Sequence, residues 1–316
     1  MTAPASHPAA APMPTRGAGH IAVPLLVAVL AAAGVAASYR VFVGTSTGQA
    51  VDTGALNGAD VSHTEIVEVL SRSLDGTTLA SLVLVCLAAV AIGVIRRRVD
   101  LAIAAALVVL GANLTTQLLK TQLDRPNLDG FPAPNSFPSG HTTAAASVAF
   151  ALVLALPHAV RGMVALIGAG YVTVIAVATV WAEWHRPSDT VAGLLVVLAW
   201  GALVVTVLRA HRLRVAGVAS RPTRMTTVLL TVVFTITAAA GLLGLGMVVI
   251  SERTAPHLFS GRFAFLTGAA CIAAAVAGTF LIWVRLAAGD QPAVPAAVPD
   301  EAELADARSA ARGRRT

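Results

Sequence analysis

Two short runs hold the residue types that chemistry would need. Ser136-Phe137-Pro138-Ser139-Gly140-His141 is followed, 44 positions after its histidine, by the start of His185-Arg186-Pro187-Ser188-Asp189. Both runs lie at the mouths of otherwise apolar segments, with Lys120 and Arg125 a short way upstream. Ionisable groups beside membrane spans are costly to place unless they face a cavity or one another, so two histidines, a carboxylate and two cations read as a functional site. The chemistry they suggest is phosphoryl transfer.

Pro187 suits the opening turn of a helix, where its missing N–H costs nothing. The four-residue offset from His185 to Asp189 brings the two side chains onto one face if that turn is helical. A carboxylate bonded to one ring nitrogen fixes the histidine tautomer and leaves the other nitrogen as a nucleophile. A surface hydrogen bond is the plainer account of the same spacing. Ser139-Gly140-His141 follows a segment broken by Pro126, Pro132, Pro134 and Pro138. Backbone N–H groups at a helix start form an anion site, and Gly140 lets a phosphate approach without a Cβ in the way. N-capping by Ser139, with His141 an ordinary interfacial residue, is the alternative. Lys120 and Arg125 would reach a phosphate held between span ends, although long cationic side chains also snorkel at membrane boundaries.

The elements that must position these groups are membrane helices. Of 316 residues, 56% are hydrophobic and 12% charged, and the mean hydropathy is +0.78, outside the range of ordinary soluble domains. A span needs about 20 mostly apolar residues. Segments meeting that test lie near 20–39, 79–95, 101–119, 142–160, 162–182, 188–208, 226–250 and 263–284, which predicts an all-α bundle of eight transmembrane helices. With the N-terminus inside, 15 of the 22 Lys and Arg residues fall on one side. That asymmetry puts both termini in the cytoplasm and both polar runs on the outer face. The basic residues sit at span ends rather than on one aromatic-interleaved patch, so nucleic-acid binding is not expected. Cys86 and Cys271 lie inside apolar runs and read as packing residues, and no spacing resembles a metal site.

Residues 1–19 carry no periodic pattern and read as a disordered cytoplasmic N-terminus. The stretch after them is long enough to be a retained span rather than a cleaved signal. Residues 20–208 form a six-helix core, 209–225 a basic cytoplasmic linker, 226–285 two additional spans and 286–316 a solvated cytoplasmic tail. Between the first two spans, 41–78 reads as the longest outer loop, with Gly44, Gly48, Gly54 and Gly58 as turn punctuation. An amphipathic helix is expected over Val61 to Leu74. Gly241, Gly244 and Gly246 resemble small-residue packing positions in the seventh span.

The order of the polar segments resembles the type 2 phosphatidic acid phosphatase superfamily, which includes bacterial lipid phosphate and polyprenyl pyrophosphate phosphatases of the membrane. Its pattern is Lys-x6-Arg-Pro, then Pro-Ser-Gly-His, then Ser-Arg-x5-His-x3-Asp. Pro138 to His141 carries the second element intact, His185 and Asp189 carry the end of the third, and the likeness covers roughly residues 79–208. Two positions depart: Arg125-Pro126 stands two residues ahead of the expected place at Asn127, and the third-motif Ser-Arg falls at Ala178-Thr179.

The resemblance implies a helical membrane phosphatase acting on a lipid phosphate or polyprenyl (di)phosphate at the outer leaflet without cofactor or metal. In that scheme His185 attacks phosphorus and becomes phosphohistidine, Asp189 orients it, and His141 protonates the leaving oxygen. Lys120, Arg125, Ser139 and Gly140 would hold the phosphate, with Arg186 standing in for the absent arginine, unless Arg186 is a solvated surface charge. A relative that binds or transports phosphorylated lipid without hydrolysis, or a phosphotransferase to another acceptor, are the other readings. A channel or secondary transporter fits less well, because the titratable groups cluster at the outer ends and no internal repeat is visible. The oligomeric state is not legible.

Overall fold

A computed structural model of the chain describes residues 19–59, 98–211, 224–254 and 258–288, together with Leu87, Ala91 and Ile95. Helix α1 (Gly19–Ser38) runs into a π-helical turn (Tyr39–Val43) and then α2 (Ser46–Asn57). There follow α3 (Val99–Gln122), α4 (Gly140–Ala155), α5 (His158–Trp181), α6 (Pro187–His211), α7 (Arg224–Thr254) and α8 (Gly261–Ala288). Among the described residues the ordered elements are all helical, and six helices are long and apolar enough to cross a membrane. The chain is a multi-pass membrane protein. Of the expected second span, Leu87, Ala91 and Ile95 are described, each helical. The expected N-terminal segment, the helix over Val61 to Leu74, Cys86, most of the basic linker and the tail lie outside the described residues.

Two expectations need correction. The fourth span, expected over 142–160, ends at Ala155. Pro157 disfavours helical backbone at the residue before it, and Leu156 is accordingly extended at ψ 159°. The helix is therefore 16 residues long, about 24 Å at 1.5 Å per residue. The start of the outer segment, expected as glycine-punctuated loop, is instead the helix α2. Thr45 caps it, accepting the Gly48 N–H at 3.0 Å, and Gly48 marks a close approach rather than a turn. A Cβ there would lie 2.0 Å from the Val41 carbonyl oxygen of the π-turn.

The most deeply buried of the spans is α6, which packs on α1, α3, α4 and α8. Trp283 of α8 is fully buried, stacks on Phe150 of α4 at 4.6 Å between ring centroids and donates its indole N–H to the Phe150 carbonyl. Thus α8 shares the core of the bundle. Its partner α7 lies against it with Gly241 facing Cys271 and Gly244 facing Thr267, while Gly246 faces open space. Close backbone approach of this kind supplies the packing that apolar burial cannot supply in lipid.

At the end of the bundle away from the two polar runs, Arg161 and Arg209 are buried rather than solvated. Arg161 donates to the carbonyls of Leu154, Leu156 and Ala287, and Arg209 to those of His20 and Leu286. The C-terminal carbonyls that α4 and α8 leave unpaired are satisfied this way. Truncating Trp283 to Ala should lower stability in detergent by about 3 kcal/mol or more, the cost of a large core cavity. Leu242→Ala, at a position 69% exposed on the lipid face, should stay within about 0.5 kcal/mol. Thermal unfolding of the two variants side by side checks the contrast.

Candidate active site

The site forms where the end of α3, the loop from Leu123 to Ser139, and the starts of α4 and α6 converge. The turn that delivers His185 follows from how α5 ends. Glu183 takes φ 59°. The Trp184 N–H bonds to the Thr179 carbonyl at 3.0 Å and the Glu183 N–H to the Val180 carbonyl at 3.0 Å. That is the Schellman pattern of helix termination, here with glutamate at the left-handed position that usually holds glycine. The His185 N–H also bonds to the Thr179 carbonyl, at 3.1 Å.

Next, α6 opens with Pro187 in its first position. Asp189, two residues into the helix, accepts the Arg186 backbone N–H on Oδ2 at 3.0 Å. Reaching back in this way is one half of a capping box. The same carboxylate, fully buried, accepts the Ser136 hydroxyl at 2.6 Å and the Arg125 Nη2 at 2.8 Å. His185 Nδ1 lies 3.8 Å from Asp189 Oδ2, an ion-pair approach longer than a hydrogen bond.

The loop is held in place from several sides. Asn135 donates to the carbonyls of Lys120, Leu123 and Phe137, and the Tyr39 hydroxyl donates to the Asp124 carbonyl at 2.6 Å. The Ser139 N–H bonds to the Asp189 carbonyl at 2.8 Å, which locks the start of α4 against α6. Ser139 is the N-cap of α4, its hydroxyl accepting from the Thr142 N–H at 3.3 Å. The Gly140 Cα faces open space on its site side, with Gln117 the nearest group to an added Cβ, at 3.8 Å. From the first turn of α4 the His141 ring comes to 5.8 Å from the His185 ring and 5.3 Å from that of Trp184, measured between centroids.

Arg125 has its side chain 3% exposed, and its Nε and Nη1 are buried without an acceptor in the protein. Arg186 is buried too, its Nε donating to the Thr53 hydroxyl at 3.1 Å and its guanidinium 5.9 Å from the Phe131 ring centroid. Burial, then the neighbouring Arg125 charge, lowers the Arg186 pKa from its usual value. Two buried guanidiniums within electrostatic reach of each other favour a nearby anion. Lys120 lies within electrostatic reach of Asp189. Among the described residues no group of three or more His, Cys, Asp or Glu side chains is arranged to hold a metal ion.

Residues 79–213 match the family model of the PAP2 superfamily. That segment of the chain belongs to the PAP2 superfamily. No curated protein and no solved structure gives a significant match. The superfamily includes lipid phosphatases, and the matched segment contains every residue that the sequence singled out: Lys120, Arg125, Ser139, Gly140, His141, His185, Arg186 and Asp189. The structure gathers them at one end of the bundle. Arg186 is no solvated surface charge, because it is 3% exposed. Thr179, at the place of the third-motif arginine, is fully buried, with its hydroxyl bonded to the Ala176 carbonyl.

What sequence reading missed lies outside the matched segment. Gln49, Asp52 and Thr53 of α2 are buried and bonded to the loop and to the start of α6. Their spacing of i, i+3 and i+4 is a polar stripe on one helix face, hidden among glycines that read as turns. Within the superfamily segment, Gly193 is the residue that lets α4 and α6 meet, since a Cβ there would sit 2.8 Å from the Ser139 carbonyl oxygen. Gly193→Ala should therefore lose about 1–3 kcal/mol of stability from overpacking and should part Ser139 from Asp189. Thermal unfolding together with a structure of the variant checks both effects.

Proposed function

We propose that this protein is an integral membrane phosphatase that hydrolyses a lipid phosphate or polyprenyl (di)phosphate at the outer leaflet through a phosphohistidine intermediate. The observation that carries the reading is the pair of unpartnered donors on Arg125, Nε and Nη1, buried on a side chain ion-paired to the Asp189 carboxylate whose other oxygen lies 3.8 Å from His185. Buried donors on a charged group are expensive to leave unsatisfied, and a phosphoryl group supplies the acceptors they lack.

In the reaction, His185 Nε2 attacks phosphorus in line while the bond to the lipid oxygen breaks, and His141 gives its proton to that oxygen. Asp189, 3.8 Å from the other ring nitrogen of His185, stabilises the positive charge that the ring gains. His141 then takes a proton from water, whose oxygen attacks phosphorus as the phosphorus–nitrogen bond breaks, releasing phosphate and restoring His185. Arg125, Lys120, Arg186, the Ser139 hydroxyl and the Gly140 amide balance charge on the non-bridging oxygens, which is the larger part of what a protein contributes to phosphoryl transfer. With a diphosphate substrate the leaving group is the lipid monophosphate and the steps are the same. The hydrocarbon tail stays in the bilayer beside the apolar helices. The outer-leaflet assignment rests on the distribution of Lys and Arg, which places the site on the side poor in them.

Purified protein assayed on a panel of lipid phosphates should release inorganic phosphate. His185→Ala should lower the rate about 1,000-fold or more, as removal of a covalent nucleophile does. His141→Ala should slow turnover while still permitting labelled phosphohistidine to accumulate from a diphosphate, whose leaving group needs little protonation. Undiminished activity in His185→Ala would eliminate the assignment. Tight binding of lipid phosphate with no release by wild-type protein would instead favour a non-hydrolysing relative.

A further inference from the structure

Helix α2 precedes the segment matched to the superfamily, yet its polar stripe reaches three groups that flank the site. Asp52 accepts the Ser188 backbone N–H on Oδ1 at 3.1 Å and the Ser188 hydroxyl on Oδ2. Thr53 accepts Arg186 Nε at 3.1 Å and donates to Asp129 at 2.6 Å. Gln49 donates to the Pro126 carbonyl at 2.7 Å and accepts the Leu128 N–H at 3.0 Å, on the loop that carries Arg125.

We propose that α2 is a positioning element of the phosphoryl-transfer site and that Asp52 is its principal positioning residue, holding the first turn of α6 through both donors of Ser188. The inference rests on the phosphatase reading for its kinetic readout. The first N–H groups of a helix have no partner within it. In α6, Pro187 has none to offer, Asp189 uses its own to close the turn onto the Arg186 carbonyl, and Ser188 is left. Asp52 caps that N–H from another helix, so the turn bearing His185 on one side and Asp189 on the other is anchored from outside as well as from within.

The surroundings of Asp52 explain why an acid at this place senses pH. Behind it is an apolar cavity of about 360 Å³ whose wall includes Val51, Ala55, Leu245 and Val248. The charged groups facing it are Asp189 and Arg186 at the head of α6 and Arg125 from the loop. Around the cavity, α8 presents Thr267 and Cys271, while α7 presents Phe234, Ala238 and other apolar residues. Burial first, and the Asp189 charge second, push Asp52 up to about 7, against the smaller opposing pull of the Ser188 hydrogen bonds and Arg125. Either protonation state keeps Ser188 bonded, because a neutral carboxyl still accepts on one oxygen and can donate from the other. What changes with pH is the charge beside Asp189.

The sign follows from proton counting. Between the model-peptide value of 3.8 and about 7, the folded protein keeps a proton on Asp52 that the unfolded chain has released. The contribution of this group to stability is thus complete at the acid end of that window, declines as pH rises through it, and is level above about 7.

The test uses Asp52→Asn, which keeps acceptor and donor but cannot ionise, and Asp52→Ala, which removes both, in the full-length protein. Asp52→Ala should lower kcat on a short-chain lipid phosphate about 10- to 100-fold with KM within about threefold, the signature of reacting groups held out of line. Asp52→Asn should stay within about threefold of wild type in kcat and lose the inflection near pH 7 in both kcat and thermal stability. Inorganic phosphate, read by its protection against thermal unfolding, serves as a probe that does not require turnover. If wild-type protein hydrolyses no lipid phosphate, the phosphatase reading fails. In that event weaker phosphate protection in Asp52→Ala than in Asp52→Asn would still support the positioning role, and equal protection would overturn it. Where turnover is seen, wild-type kcat in Asp52→Ala, equal impairment of both variants, or a loss accounted for by unfolded protein would overturn the proposal.

Discussion

A single buried carboxylate organises this end of the bundle. Asp189 is wholly removed from solvent, and an ionised carboxyl in such a place costs several kcal/mol unless hydrogen bonds and an opposite charge offset the loss of water. Its oxygens collect donors from three directions: the Arg186 backbone from its own helix, and Ser136 and Arg125 from two points on the loop. The loop must therefore fold back over the α6 start, and the Asn135 and Tyr39 bonds to its carbonyls are the means by which it stays there. His185 is then left with a neighbouring negative charge and with its ring 5.8 Å from that of His141. Removing any one donor exposes the others to the same unpaid desolvation, so the arrangement is cooperative in the way that buried polar networks are.

The apolar part of the bundle meets a different requirement. In lipid, burying hydrocarbon against hydrocarbon gains little, and helices associate where backbones approach closely and side chains interlock. Helix α6 does this from its first turn to its middle. Gly193 rests on Ser139 near the site, and Gly201 accepts the Trp283 ring deeper in. From the partner helices, Gly268 of α8 rests on Pro187 and Gly111 of α3 takes the Trp200 ring. The contacts at Gly193 and Gly268 fall on the first turns of α6, so the packing that assembles the membrane core also sets the place of Asp189.

How much of this was legible in the sequence depended on whether local pattern or tertiary demand decided the structure. The long spans α1, α3 and α5 to α8 follow from apolar runs and lie within a few residues of where those runs begin and end. The polar site was legible because titratable residues stand out against such a background. The apolar character of the sequence carries the expected span of helix α4 on to 160, whereas the pre-proline clash at Leu156 stops the helix at Ala155. Helix α2 was missed for the opposite reason. Glycine in a polar, outer segment reads as turn, but Gly48 lies within a helix that the π-turn approaches too closely for any side chain. Asp52 and Gln49 were invisible with it, since their importance comes from residues more than seventy positions away.

The two departures from the superfamily pattern differ in consequence, and the difference is one of backbone. Arg125 is displaced in a stretch that has already left the helix: α3 ends at Gln122 and Leu123 is extended at ψ 134°. Extended chain of this kind does not fix side-chain direction by residue count, and Arg125 still reaches Asp189 at 2.8 Å from its displaced position. Thr179 lies near the end of α5, where the helical repeat does fix direction, and there the guanidinium is lost. What position 179 retains is its carbonyl, which accepts two N–H groups and shapes the turn into His185. A buried guanidinium does follow that turn, at Arg186. Because Arg186 precedes the rigid start of α6, its reach is set by what holds its side chain, namely Thr53 and the Phe131 ring. A cation on a turn needs an external brace to keep its direction, and through Thr53 α2 supplies one for Arg186.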